Sequence, residues 1–121
     1  MQATRIIALR HGETAWNVDT RIQGQLDVEL NDTGLWQARQ VALALRDEGI
    51  GAIYASDLQR AFDTARAVAA AHDLVATPVT ALRERHFGHF QTHTWKEIEQ
   101  RWPEHAQLWR KRVPDWAPDG G

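Results

Sequence analysis

Arg10-His11-Gly12-Glu13-Thr14 sets a permanent cation beside an imidazole at the end of the apolar run Ile6-Ile7-Ala8-Leu9. Arginine offers a rigid fork of donors that matches phosphoryl oxygens, and a neutral imidazole is a nucleophile near pH 7. Capture of a phosphate followed by attack on it is the chemistry this pairing suits. Asn17 follows at a distance that lets a loop fold back over the same pocket. Gln23-Gly24-Gln25 is a second small polar loop, whose glycine permits close backbone approach to an anion. Arg60 is a second cation, placed in the first turn of an expected helix, where it opposes the macrodipole unless an anion binds there.

These groups need a scaffold, and the spacing of apolar residues supplies one. Ile6 to Leu9 reads as a buried strand, with Gly12 where the chain turns out of the sheet. Arg10 and His11 then stand at its carboxyl end, where open α/β sheets place their ligands. Asn31 or Asp32 caps a helix through about Glu48, with Leu35, Ala38, Val41 and Leu45 as its buried stripe and Gly49 at its end. Residues 52–55 form a short strand. Ser56 and Gln59 fit a capping box that starts a helix through about Ala71, burying Leu58, Phe62, Ala65 and Ala69. Val75 to Thr80 reads as a third strand, with Pro78 favouring an edge or an end. Thr94 and Glu97 form another capping box, followed by Trp95, Ile98 and Trp102 on one face. Pro103 breaks that helix and opens the next, through about Lys111. Alternating strands and helices predict one α/β domain over 1–121 with a parallel-rich sheet flanked by helices.

In this order, Arg10 to Asn17, Gln23-Gly24 and Ser56-Asp57-Leu58-Gln59-Arg60-Ala61 resemble the histidine phosphatase superfamily, also called phosphoglycerate mutase-like. Its pattern runs R-H-G-E-[TS]-x-x-N, a Q-G or similar loop, then S-D-L-x-R-A, and the resemblance covers nearly all of the chain. It implies a phosphoglycerate mutase-like fold and a phosphohistidine formed on His11. Arg10, Asn17, Gln23, Gly24 and Arg60 are implied to contact the substrate, a small phosphorylated metabolite, with no cofactor and no metal. Leu82-Arg83-Glu84-Arg85-His86-Phe87-Gly88 resembles the family's L-x-E-x-x-x-G segment, so protonation of the leaving oxygen falls on Glu84. A carboxyl group that donates near neutral pH must keep its proton, through burial or a neighbouring phosphate dianion.

The chain also departs from the pattern. Phosphatase-like relatives usually continue W-E-G, where Phe90, Gln91 and Thr92 stand here. Glu84 to Gly88 looks like the E-R-H-Y-G of cofactor-dependent mutases, whereas Gln23-Gly24-Gln25 looks like the phosphatase loop, and the long insertion of mutases is missing. A phosphatase is the favoured reading, with a phosphoglycerate mutase or an impaired phosphate-binding fragment as alternatives. Members carry a second catalytic His-Gly pair after a strand, and none of His72, His86, His89, His93 and His105 fits it. The expectation is an amino-terminal portion of a longer member, incomplete at its C-terminus, with exposed apolar surface that favours aggregation or a homo-oligomer. A rival reading takes His86, His89 and His93 as three imidazoles for zinc, although Gly88 and Thr92 oppose a continuous helix there.

Fourteen basic against sixteen acidic side chains leave a net charge of −2, so no global field draws nucleic acid or anionic membrane. The absence of cysteine excludes disulfides, thiolate zinc sites and cysteine nucleophiles. No apolar run approaches spanning length, and a cytoplasmic setting is expected. Of six tryptophans, Trp102, Trp109 and Trp116 fall in the last twenty residues, where they stand to be left uncovered.

Overall fold

A computed structural model describes residues 4–121. Two helices form its frame, α2 (Asp32–Ala44) and α3 (Gln59–Ala71), which pack against each other; a single turn, α1 (Ala15–Val18), precedes them. Asn31 caps α2 by accepting from Gly34 N–H at 2.8 Å. The buried stripe of α2 is Gly34, Ala38 and Ala42, not the expected set with Leu35, Val41 and Leu45. Small residues four apart let the helix lie close to its neighbours, and this turns Leu35 and Trp36 outward. The helix stops at Ala44, short of the expected Glu48. The Leu45 carbonyl takes a hydrogen bond from His72 Nε2 at 2.8 Å, and a turn follows.

Helix α3 ends at Ala71 as expected, but Ser56 and Gln59 form no capping box. Leu58 is the N-cap, Ser56 Oγ accepts from Leu58 N–H, and the carboxylate of Asp27 takes the N–H of Gln59 at 2.7 Å. Leu58 and Ala69 are buried as expected. Phe62 and Ala65 are only half-buried, and Arg60, Thr64 and Val68 complete the inner face.

The sheet is parallel and small: β1 (Tyr54–Ala55) pairs with β2 (Thr77–Pro78) in the register Tyr54 to Thr77 and Ala55 to Pro78. Thr77 N–H donates to the Ile53 carbonyl and Val79 N–H to the Ala55 carbonyl. Pro78 therefore occupies the alternate position, where its missing N–H costs no ladder bond. The expected first strand is not formed. Ile6 is 84% exposed and Leu9 47%, and among the described residues no strand pairs with residues 6–9. An apolar run becomes a strand only where a neighbouring backbone completes its ladder.

Two 3₁₀ turns, Thr80–Leu82 and Gly88–Phe90, lead to α4 (Trp95–Arg101) and α5 (Pro103–Arg110). The Thr94–Glu97 capping box is present in both directions, and Pro103 opens α5. Phe90 and Ile98 are fully buried at the centre of an aromatic cluster with Ala106. Trp95, Trp102, Trp109 and Trp116 pack around it, so the late tryptophans are not left uncovered. No helix among the described residues is long and apolar enough to cross a membrane.

Candidate active site

Every residue from His11 to Thr14 is tied by a specific bond. His11 Nδ1 lies 2.6 Å from the Gly12 carbonyl. A carbonyl oxygen can only accept, so Nδ1 carries a proton, and the neutral ring has its lone pair on Nε2. Gly12 N–H donates to Thr64 Oγ1 at 3.0 Å, and Glu13 N–H to Gln37 Oε1 at 2.9 Å. Asn31 N–H donates to the Glu13 carbonyl. This segment passes directly over the start of α2, where a Cβ on Gly12 or Gly34 would overlap the facing backbone. Arg10, His11, Gly12, Gln37, Ala38, Val41 and Thr64 line a half-open cleft of about 360 Å³.

Thr14 is fully buried. Its hydroxyl donates to Gln23 Oε1 at 2.7 Å, which fixes Gln23 inside the fold. Asn17 Oδ1 accepts from Thr14 N–H at 2.9 Å as part of the capping box of α1. Donation from Asn17 to an anion would therefore come from its NH₂ group. Gly24 sits at φ +55° with Gln91 Oε1 where a Cβ would be. That oxygen accepts from Gln25 N–H at 3.0 Å and Phe87 N–H at 3.2 Å, and Gln25 Nε2 donates to the Glu84 carbonyl. The Gln23-Gly24-Gln25 loop is thus tied to the segment that carries Glu84.

Arg60 is 2% exposed, unlike the first-turn arginine on a helix N-terminus that its position suggests. Its guanidinium donates to the Leu26 carbonyl at 2.7 Å and to the Gly24 carbonyl, holding the loop from beneath. Burial holds its pKa below the ordinary value, with Glu84 and Asp27 pulling in the opposite direction. The end of α3 that was to receive an anion already has the Asp27 carboxylate.

Glu84 is exposed, and its Oε1 accepts from Arg85 N–H at 2.7 Å. Neither flanking arginine pairs with it. Arg83 makes two bonds to Asp57, at 2.7 and 2.6 Å, and Arg85 lies over the Trp109 ring at 4.8 Å. Arg83 holds the Asp57 carboxyl below its usual range, and Asp57 in turn raises Arg83. The structure thus gathers Arg10 and His11 in one cleft and sets Glu84 close enough to Arg60 to act on its charge. Asn17, Gln23, Gly24, Arg60 and Glu84 line no part of that cleft.

The three histidines weighed for zinc have separate partners. His86 Nδ1 accepts from Gly88 N–H, His89 bonds Asp119 N–H and His105, and His93 Nδ1 lies against the Gln91 carbonyl. Among the described residues no three His, Cys, Asp or Glu side chains are grouped to hold a metal ion. Thr64, Gln37, Gln91 and Asp27 escape sequence reasoning, because each acts on backbone far away in the chain. Only Thr64 carries a local signal, one turn beyond Arg60 on the same helix face.

A family model described as the histidine phosphatase superfamily (branch 1) matches residues 6–121. Glucosyl-3-phosphoglycerate phosphatase of Mycobacterium tuberculosis is 42% identical over 121 residues, covering 100% of this chain and 54% of the relative. Metal-independent phosphoserine phosphatase of Arabidopsis thaliana is 43% identical over 124 residues, covering 99% and 51%. The structure of the mycobacterial glucosyl-3-phosphoglycerate phosphatase with VO₃ superposes with a TM-score of 0.84 at 41% identity, covering 92% of this chain and 53% of that one. The chain spans about half the length of the curated relatives it matches.

Proposed function

The chain belongs to the histidine phosphatase superfamily, and we propose that it supplies the nucleophile and the acid of a phosphomonoesterase acting on a small phosphorylated metabolite. The observation that carries this reading is the His11 Nδ1 bond to the Gly12 carbonyl, which leaves Nε2 as the attacking atom. In the first step Nε2 forms a bond to phosphorus as the ester P–O bond breaks. The departing oxygen keeps the bonding pair and takes a proton from Glu84. In the second step water adds to phosphorus, the P–N pair returns to Nε2, and Glu84 takes the proton from water. Arg10 offsets the charge of the equatorial oxygens, with the Asn17 NH₂ and the Gln23-Gly24 loop, which Arg60 holds from beneath, as further contacts. Glu84 is exposed, so the bound phosphate dianion rather than burial must keep its proton in place.

Relatives named as phosphatases at 42% and 43% identity support a hydrolase, beside relatives named phosphoglycerate mutase-like at 42% and probable phosphoglycerate mutase at 39%. Arg10 supplies positive charge in the cleft and the reading invokes no metal, and a cytoplasmic setting fits a phosphorylated metabolite as substrate. Residues 1–121 act as a single domain in this reading. Its exposed Ile6, Tyr54 and Val75 lead the 121-residue chain to self-associate, and a sedimentation profile of monomer alone would contradict that.

The test is covalent trapping. Incubation with a labelled phosphomonoester in the presence of chelator is expected to leave acid-labile label on the chain, and His11→Ala to abolish it. Label that persists in the alanine variant would overturn the assignment.

A further inference from the structure

We infer that Thr64 and Gln37 are positioning residues that select the nucleophilic tautomer of His11 by clamping the two peptide planes that meet at Gly12. The inference rests on His11 as the nucleophile and names what keeps it in attacking form. Thr64 is 4% exposed and its hydroxyl proton goes to the Arg60 carbonyl at 2.7 Å. With that proton committed, Oγ1 can only accept from Gly12 N–H, so the sense of the 3.0 Å bond is fixed. The next plane holds the Gly12 carbonyl and the Glu13 N–H, and the latter is bound by Gln37 Oε1 at 2.9 Å.

Glycine has the widest backbone freedom of any residue, so its carbonyl direction must be imposed from outside. The Gly12 carbonyl is the acceptor that places the proton of His11 on Nδ1. Once either clamp is lost, that carbonyl can swing away from the ring. Thr64 links this control to Arg60 through one hydroxyl, so the nucleophile and the loop-holding arginine are set by the same turn of α3.

Nitrogen-15 NMR of the His11 ring reads the tautomer directly, on the 121-residue chain at a pH where the ring is neutral. The wild type should show Nδ1 protonated and Nε2 bare. Thr64→Val and Gln37→Leu should each shift the tautomer ratio about tenfold toward Nε2–H, roughly the effect of one ordinary hydrogen bond. Thr64→Ser keeps the accepting oxygen without adding charge and should retain the wild-type spectrum. Circular dichroism checks folding, and Gln37→Leu, at a half-exposed position, decides the matter if Thr64→Val does not fold. Folded variants with an unchanged tautomer would overturn the inference alone. A wild-type ring protonated on Nε2 would overturn the nucleophile reading and this inference with it.

Discussion

Around His11, the N–H groups of Gly12, Glu13 and Thr14 each meet a side-chain oxygen, from Thr64, Gln37 and Asn17. Around Glu84, the carboxylate stands exposed and bonds the N–H of the very next residue, while Gln25 holds only the backbone carbonyl. In the proposed reaction the nucleophile is prepared before substrate arrives, and its lone pair is set by protein alone. The acid of that reaction has its backbone placed but its carboxylate left to respond to what binds. Preorganisation of the attacking group saves reorganisation at the moment of reaction. Having given up its proton in the first step, the carboxylate is already in the form that takes one from water in the second.

If that division of labour is right, removing the acid should slow chemistry while sparing binding. Glu84→Gln is expected to reduce turnover of an alkyl phosphate by about 10² to 10⁴. A nitrophenyl ester, whose leaving oxygen needs no proton, should be much less affected, and vanadate affinity should hold. Equal losses on both esters would mean that Glu84 is not the acid.

Arg60→Ala attacks the support shared by both regions. It leaves the Gly24 and Leu26 carbonyls without their cation and should cost about 2–3 kcal/mol of stability, with weaker vanadate binding. Arg60→Lys keeps the charge but loses the fork, and should recover only part of the loss. A melting temperature unmoved in Arg60→Ala would show that the loop stands without it.

The smallest effect is expected at the Asp57–Arg83 pair, which keeps Arg83 away from Glu84. Arg83 depresses the folded pKa of Asp57. Its contribution to stability is therefore full above the unfolded aspartate value of about 4 and lost as pH falls through the lower folded value. Asp57→Asn should flatten the acid limb of a melting-temperature profile slightly, because the pair is solvent-screened. An unaltered acid limb would show that the pair contributes nothing.

The legible parts of the sequence were those where local chemistry decides. The Thr94–Glu97 box, Pro103 at a helix start, the Asn31 cap and the end of α3 follow from neighbours in the chain. The placing of Arg10 and His11 side by side in one cleft could be read for the same reason. Readings failed where distant backbone intervened. Asp27 replaced the Ser56 cap of α3, and close packing of small residues on α2 displaced the leucine stripe. Ile6 to Leu9 has the composition of a strand but no partner among the described residues. Arg60 was identifiable as a charged group near the site, yet its burial under the Gly24 loop depends on a partner thirty-six positions away in the chain.

The central claim is that His11 Nε2 takes the phosphoryl group. Phosphorus–proton correlation NMR on the trapped phosphoenzyme, unfolded at alkaline pH to preserve the P–N bond, identifies the residue and the nitrogen together. A single phosphohistidine at His11, substituted on Nε2, is the predicted result. Phosphorus on Nδ1 of His11, on another histidine such as His72, or on no nitrogen at all would contradict the account.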